Sequence, residues 1–351
     1  MPLIVQSKKP RVVLGLMNIG TLADRGARIF TQEGFKDVLD AYQARGYSEV
    51  DTARNYMGTQ QEAFTREAGW KERGLNLATK VMYPMGEGAN SAEKVIESVE
   101  QSLKELGTDY IDTLYLHNAD RTVPFAETLE AMDRLHKAGK FGVFGLSNFA
   151  AHEVAEVVMT CKYNGWVRPT LYQGMYNCLT RNIEKELFVA CRRYGLDIVV
   201  YNPICGGLLS GKVKSKDVVP ETGRFSAHSA WMGGTYRNRY FRDATFDAVK
   251  VVEEAADKAG LTMIEIAFRW LVHHSGLKVL DGNDAILMGV SSVEQVGKNL
   301  DALEKGPLPE EVVKALEDAW TISRSNSVNY WHGDLVYTYD PKEALFGANA
   351  K

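Results

Sequence analysis

The sequence predicts an α/β fold, a (β/α)8 TIM barrel with a long loop after strand seven and a C-terminal helix plus tail. Three observations carry this. Short apolar runs alternate with amphipathic stretches of ten or so residues from the first residues to about position 305, and the runs number eight. The early glycines Gly15 and Gly20 do not form, after the first run, the G-x-G-x-x-G turn of a doubly wound dinucleotide-binding sheet. No seam rich in Pro, Gly or Ser splits the chain, so residues 1–351 are read as one domain.

The first strand is expected over Val12 to Leu16, followed by a helix over Gln32 to Arg45. There Phe35, Val38, Leu39 and Tyr42 fall at helical spacing and Gly46 stops the run. Further strands are expected at Glu49 to Asp51, Leu75 to Lys80, Ile111 to His117, Phe141 to Ser147, Thr170 to Gln173, Asp197 to Tyr201 and Ala285 to Met288. Helices fit between them at Gln60 to Ala68, Ser91 to Leu106, Pro124 to Ala138, Ala151 to Tyr163, Ile183 to Tyr194, Thr245 to Ala259 and Leu261 to His273. Ser292 to Leu303 follows the last strand, and another helix runs from Pro309 to about Ile322. The connection between Asn202 and Asp243 is too long for a routine βα loop and reads as a segment that covers a ligand. Residues 327–351 form an aromatic tail expected to contribute to a substrate pocket.

A formal charge of -4 with scattered basic residues offers no field for a polyanion, so nucleic acid is not an expected partner. No apolar run is long enough to span a bilayer and no signal peptide is visible, which points to the cytoplasm. Cys161, Cys178, Cys191 and Cys205 form no CxxC pair and have no His at metal spacing, so no metal is expected and the thiols read as core residues. A monomer and a homodimer both remain open.

In a βα barrel, chemistry sits where the strands end at their C-terminal face. Here those ends are polar: Asp51 with Tyr56 just beyond, Lys80, His117, Ser147 with Asn148, Gln173 and Tyr201. A phenol is a poor acid at neutral pH, but a nearby cation stabilises the phenolate. Lys80 can supply that charge and so lower the pKa of Tyr56, and Asp51 can anchor Lys80. His117 can donate a hydrogen bond to the carbonyl oxygen that Tyr56 protonates.

These segments resemble the aldo-keto reductases, in the manner of the aflatoxin-aldehyde reductase branch. The similarity is carried by Glu49-Val50-Asp51-Thr52-Ala53 with Tyr56, Ala78-Thr79-Lys80, Leu114-Tyr115-Leu116-His117, Gly145-Leu146-Ser147-Asn148-Phe149, Tyr172-Gln173-Gly174-Met175-Tyr176-Asn177 and Tyr201-Asn202-Pro203, in family order. The resemblance implies reduction of an aldehyde or ketone by hydride from NADPH, with Asp51, Tyr56, Lys80 and His117 as the catalytic tetrad. It implies Ser147, Asn148 and Gln173 as the grip on the nicotinamide carboxamide, and Tyr201 as the ring stacked on the nicotinamide. Asp51 counts among the cofactor contacts too. The alternative is an NADPH-binding regulatory or redox-sensor subunit with slow turnover.

Gly206-Gly207-Leu208-Leu209-Ser210-Gly211-Lys212 nearly spells a P-loop, but Val213 stands where a hydroxyl for Mg²⁺ is required. The resemblance places the stretch from Asn202 and Pro203 through Gly206, Gly207, Leu208, Ser210, Gly211 and Lys212 over the cofactor pyrophosphate, a task suited to glycines. Ser291, Ser292, Gln295, Lys298 and Asn299 enter a helix whose first amides favour an anion, such as the 2'-phosphate of NADPH. The commoner family pattern has Lys and Arg where this chain has Gly289 and Gln295. Lys298 either supplies the missing charge or is a solvated helix lysine. Arg224 and Arg239 either face a polar substrate group, alongside His117 and Trp331, or form surface ion pairs. Trp231, Trp331 and the tail aromatics either wall the pocket or cover the outer helices. Asn55 precedes Tyr56 where an apolar residue is expected, and the chain continues through His332 where the branch tends to end soon after an arginine.

Overall fold

The computed structural model describes residues 9–228 and 232–347. Eight parallel strands close into a barrel in chain order. They are β1 Val12–Gly15, β2 Glu49–Asp51, β3 Asn76–Lys80, β4 Ile111–Leu116, β5 Phe141–Ser147, β6 Leu171–Met175, β7 Asp197–Tyr201 and β8 Ala285–Gly289. The ring closes where Val12 to Gly15 pair with Ile286 to Gly289. The expected barrel is therefore the observed one.

Around it stand α1 Gln32–Gln43, α2 Gln61–Glu67, α3 Ala92–Leu106, α4 Phe125–Lys137, α5 Ala151–Asn164, α6 Leu187–Tyr194, α7 Met232–Tyr240, α8 Asp243–Ala259, α9 Met263–His273, α10 Val293–Glu304, α11 Glu310–Ser323 and α12 Pro341–Phe346. Most boundaries differ from expectation by a residue or two. The exception is α6, expected from Ile183. The segment before it is a turn in which Arg181 Nε bonds Glu184 Oε1 at 2.8 Å, and Ile183 is buried there without belonging to a helix.

Two helices escape sequence reading. α7 contains Gly233 and Gly234 and has little amphipathic pattern, so tertiary contacts hold it: Arg237 Nη1 donates to the Phe225 and Ser226 carbonyls, and Tyr236 and Tyr240 pack on Phe225. α12 is short, starts on Pro341 and is capped by Asp340, which accepts from the amides of Lys342 and Glu343. Trp231, read as either a pocket wall or a cover for the outer helices, lies outside the described residues.

Two-residue alternation sorts the strands. Val13, Ala78, Tyr115, Val143, Leu171, Val199, Ala285 and Leu287 pack with one another inside the barrel, while the intervening residues join the core beneath the helices. Tyr115 fills so much of the interior that a Cβ on Gly145, its neighbour on β5, would lie 2.3 Å from the ring. All four cysteines are buried in the outer core, as expected of packing residues. Among the described residues, no helix is long and apolar enough to cross a membrane.

Candidate active site

The same alternation that puts Ala78, Tyr115, Leu171 and Val199 inside the barrel brings Lys80, His117, Gln173 and Tyr201 to the inner rim two residues later. Register supports the placement: Asp51 pairs with Ala78, Lys80 with Tyr115, and Ser147 with Gln173. Above this rim lies a cleft of about 1760 Å³. All five non-glycine residues with positive φ in the described chain sit in the loops above it: Met57, Thr59, Asn148, Asn202 and Cys205. Such strained conformations persist only where the surroundings impose them, and they gather at functional sites.

Asp51 and Lys80 are almost wholly buried, and Lys80 Nζ donates to Asp51 Oδ1 at 2.5 Å and to the Thr52 carbonyl at 2.7 Å. Burial lowers the Lys80 pKa, opposed by the Asp51 charge. Gln173 Nε2 donates to the other Asp51 oxygen at 2.8 Å. Tyr56 stands over this pair, with Lys80 Nζ 5.1 Å from the centre of its ring and His117 edge-on at 5.8 Å. The loop carrying Tyr56 is pinned from below by a buried Arg54–Glu62 ion pair, by Thr79 donating to Glu62, and by Arg54 donating to the Thr59 carbonyl.

One electrostatic expectation is corrected. The Tyr56 hydroxyl is not made more acidic; burial first, and then the Asp51 charge, push its pKa well above the ordinary value. The Lys80 charge is offset by Asp51 in direct contact, so little net positive field reaches the phenol. His117 is held neutral, its pKa driven well down by burial and then by Lys80 and His332. Its Nδ1 is buried without a hydrogen-bond partner, so the tautomer carrying the proton on Nε2 leaves no buried N–H unsatisfied.

Next along the rim, Asn148 Nδ2 donates to the His117 carbonyl at 2.9 Å and to Ser147 Oγ at 3.0 Å, while Tyr201 donates to Asn148 Oδ1 at 2.8 Å. Burial raises the Tyr201 hydroxyl to about 12. Asn202, Pro203, Gly206, Gly207, Ser210 and Lys212 continue the cleft wall, and Ser291, Ser292, Gln295, Lys298 and Asn299 close its far end. Leu208 and Gly211 do not line it, and Leu208 is buried in the core. The glycine stretch is an irregular 3-10 turn, with no helix opening at Lys212.

Ser292 caps α10 and accepts from the Gln295 amide; Gln295 Oε1 accepts from Ser291. Lys298 is exposed and pairs with Glu294 at 2.7 Å, the geometry of a solvated helix pair at the cleft mouth.

Arg224 and Arg239 are not surface ion pairs. Both line the cleft and, among the described residues, neither meets a carboxylate. Arg224 donates to Tyr236 and to Asn18 Oδ1, each at 2.7 Å, and Arg239 donates to His332 Nε2 at 2.7 Å. Trp331 also faces the cleft. Sequence reading assigned no role to Tyr83, Asn18, Tyr236 or His332, although all four line the same space. Tyr83 carried a usable signal: like Tyr56, it lies a few residues beyond a polar strand end.

The tail reaches the cleft because it is fastened to the rim. His332 N donates to the Asn148 carbonyl at 3.2 Å, Arg121 Nη1 to the His332 carbonyl at 2.7 Å, and Thr338 N to the Arg121 carbonyl at 3.0 Å. Arg121 is itself buried against Glu153, which also accepts from Tyr337 at 2.8 Å. Burial, then Arg239 and Arg121, lower the His332 pKa to about 3. Tyr83 and Tyr201 are its other titratable neighbours. The unfolded chain therefore takes up this proton first. Stability should fall as pH drops from about 6.5 toward 3, by about 2 kcal/mol between pH 7 and pH 5. His332→Gln should remove that part of the slope, read from urea midpoints at the two pH values.

The barrel thus gathers an acid, a lysine, a tyrosine and a histidine on one rim beneath the cleft, a set able to hold and move a proton. The sequence pattern of the aldo/keto reductase family matches residues 11–321. The chain is 41% identical over 298 residues to an aldo-keto reductase of Pseudocercospora fijiensis, covering 84% of this chain and 100% of that one. It is 41% identical to human aflatoxin B1 aldehyde reductase member 2, covering 92% and 90%. It is 36% identical to the aldo-keto reductase pigE of Monascus ruber, covering 92% and 97%. The chain belongs to the aldo/keto reductase family, and is an oxidoreductase of carbonyl compounds.

Proposed function

We propose that this protein reduces an aldehyde or ketone to the alcohol with NADPH, Tyr56 donating the proton. The observation that carries this reading is the contact set at one end of the cleft: Tyr56 stacked over a buried Lys80–Asp51 pair and flanked by neutral His117. The cofactor, when bound, supplies hydride to the carbonyl carbon. The chain does the rest. His117 Nε2–H orients the carbonyl oxygen, and the Tyr56 hydroxyl delivers its proton to that oxygen as negative charge develops there. A raised pKa does not prevent this, since an alkoxide is more basic than a phenolate, and it keeps Tyr56 protonated across the neutral range. Lys80 and Asp51 support the phenol and limit the charge that builds on it.

The rest of the cleft fits a dinucleotide. Gly206 and Gly207 have φ of 69° and 100°, and no atom lies within 4 Å of where a Cβ on Gly207 would stand, so the backbone there offers close approach to an anion. Ser147, Asn148, Gln173 and Tyr201 would hold the nicotinamide end, and Asn202, Pro203 and the loop to Lys212 the pyrophosphate. Leu208 and Gly211, which do not line the cleft, would shape that loop from within it rather than touch the cofactor. Ser291, Ser292, Gln295 and Asn299 would hold the 2'-phosphate at the start of α10. On substrate, Arg224, Arg239 and Trp331 would act with His117, and the tail from residue 327 would complete that side.

Lys298, which lines the cleft and pairs with Glu294 in the free protein, would turn to the 2'-phosphate when the cofactor binds; Lys298→Ala should then raise the KM for NADPH about fivefold, the loss of an exposed charge-assisted contact, and leave NADH unaffected. The reading as a whole is tested by following nicotinamide absorbance with NADPH and a panel of aliphatic, aromatic and carboxylated aldehydes. Cofactor binding without oxidation against the whole panel would turn the reading toward a sensor subunit.

A further inference from the structure

His332, which sequence reading left without a role, has a tautomer fixed by its neighbours. Arg239 can only donate, so His332 Nε2, 2.7 Å from its Nη2, must present a lone pair. The ring is then neutral with its proton on Nδ1, and Nδ1 lies 3.1 Å from the Tyr83 hydroxyl. Tyr83 Oη therefore accepts this bond and keeps its own proton. Tyr201 Oη also lies near Nε2, at 3.3 Å, but its proton is placed on Asn148 Oδ1 at 2.8 Å. Asn148 is fixed in that orientation because its amide nitrogen donates to the His117 carbonyl and to Ser147 Oγ. The ring proton of His332 and the hydroxyl proton of Tyr201 each have an acceptor. The Tyr83 hydroxyl hydrogen has none among the described residues, and Tyr83 lines the cleft.

Its position gives that free donor a use. The Tyr83 ring meets His117 edge-on at 5.2 Å, and His117 in turn meets Tyr56 at 5.8 Å. Tyr83 thus adjoins the corner where the carbonyl would be reduced. We infer that Tyr83 is a substrate-binding residue, its hydroxyl aimed by Arg239 and His332 to donate to a second oxygen of the substrate near the reduced carbonyl. This rests on the carbonyl-reductase reading above. His332 is a positioning residue in this arrangement, acting only through Tyr83. A donor that the protein leaves without an acceptor favours a ligand that accepts from it over one that carries a methylene at that place.

The test compares the full-length protein with NADPH on two aldehydes of equal chain length, one with an ether oxygen near the carbonyl and one with CH2 in its place. The ether accepts and cannot donate, so it reports on donors of the cleft, and the change on removing the Tyr83 hydroxyl reports on Tyr83. In Tyr83→Phe the ratio of kcat/KM values, ether over methylene, should fall roughly fivefold to tenfold. His332→Gln, which keeps an acceptor for Arg239 but offers Tyr83 no ring N–H, should lower the same ratio and covers the case of a poorly folded Tyr83 variant. Nitrogen-15 NMR of His332 should show a neutral ring protonated on Nδ1. An unchanged ratio in a folded Tyr83→Phe protein, or a ring protonated on Nε2, overturns the inference and leaves the reductase reading intact. Failure of the unaltered protein to reduce either aldehyde overturns the reductase reading instead.

Discussion

Tyr56→Phe should cut turnover about 10³-fold while leaving fold and cofactor affinity in place. The Tyr56 hydroxyl has no hydrogen-bond partner among the described residues, so its removal orphans nothing. The ring would keep its place over Lys80 and against His117. The variant therefore separates chemistry from structure better than any other change in the site. Titrating the variant with NADPH by fluorescence should give the affinity of the unaltered protein, and its unfolding midpoint should move by no more than about 0.5 kcal/mol. Single-turnover reduction of an aldehyde should show the whole loss in the chemical step. Undiminished turnover would remove Tyr56 from the mechanism and with it the proposed proton path.

Lys80→Met should instead be costly to the fold itself. Both members of the Lys80–Asp51 pair are at most 2% exposed, and removing one charge leaves the other buried without compensation. The Thr52 carbonyl loses its donor in the same change. A loss of about 3–5 kcal/mol in urea unfolding is expected. Adding Asp51→Asn removes the orphaned charge and keeps an acceptor for Gln173, so the double variant should regain much of the stability. It should not regain turnover. A single variant as stable as the parent would mean that water or another group reaches Asp51 when Lys80 is gone.

The barrel was legible because its signal is repeated eight times, and an error in the bounds of one strand leaves the count unchanged. The rim was legible for a related reason: parity along a strand forces Asp51, Lys80, His117, Gln173 and Tyr201 to the same face whatever the loops do. Side-chain pairing was not legible. The sequence puts Lys80 near Tyr56 but gives no sign that Asp51 offsets the Lys80 charge, so the direction of the Tyr56 shift was misjudged. Nor could spacing reveal that Arg239 would point at His332, nearly a hundred residues later, because that contact depends on the route of the tail. The helix at Met232–Tyr240 was missed since its stability comes from bonds to Phe225 and Ser226 rather than from its own pattern.

The way the tail is fastened bears on how this enzyme can diverge. Two of the bonds that set its course, from His332 N to Asn148 O and from Thr338 N to Arg121 O, join main chain to main chain. Almost any residue can supply those atoms. Mutation at positions 331 and 332 can therefore exchange the chemistry presented to a substrate without rerouting the segment or disturbing the Lys80–Asp51 pair. New specificity can arise in this lineage by single substitutions at a fixed address, while the barrel and its rim are inherited unchanged.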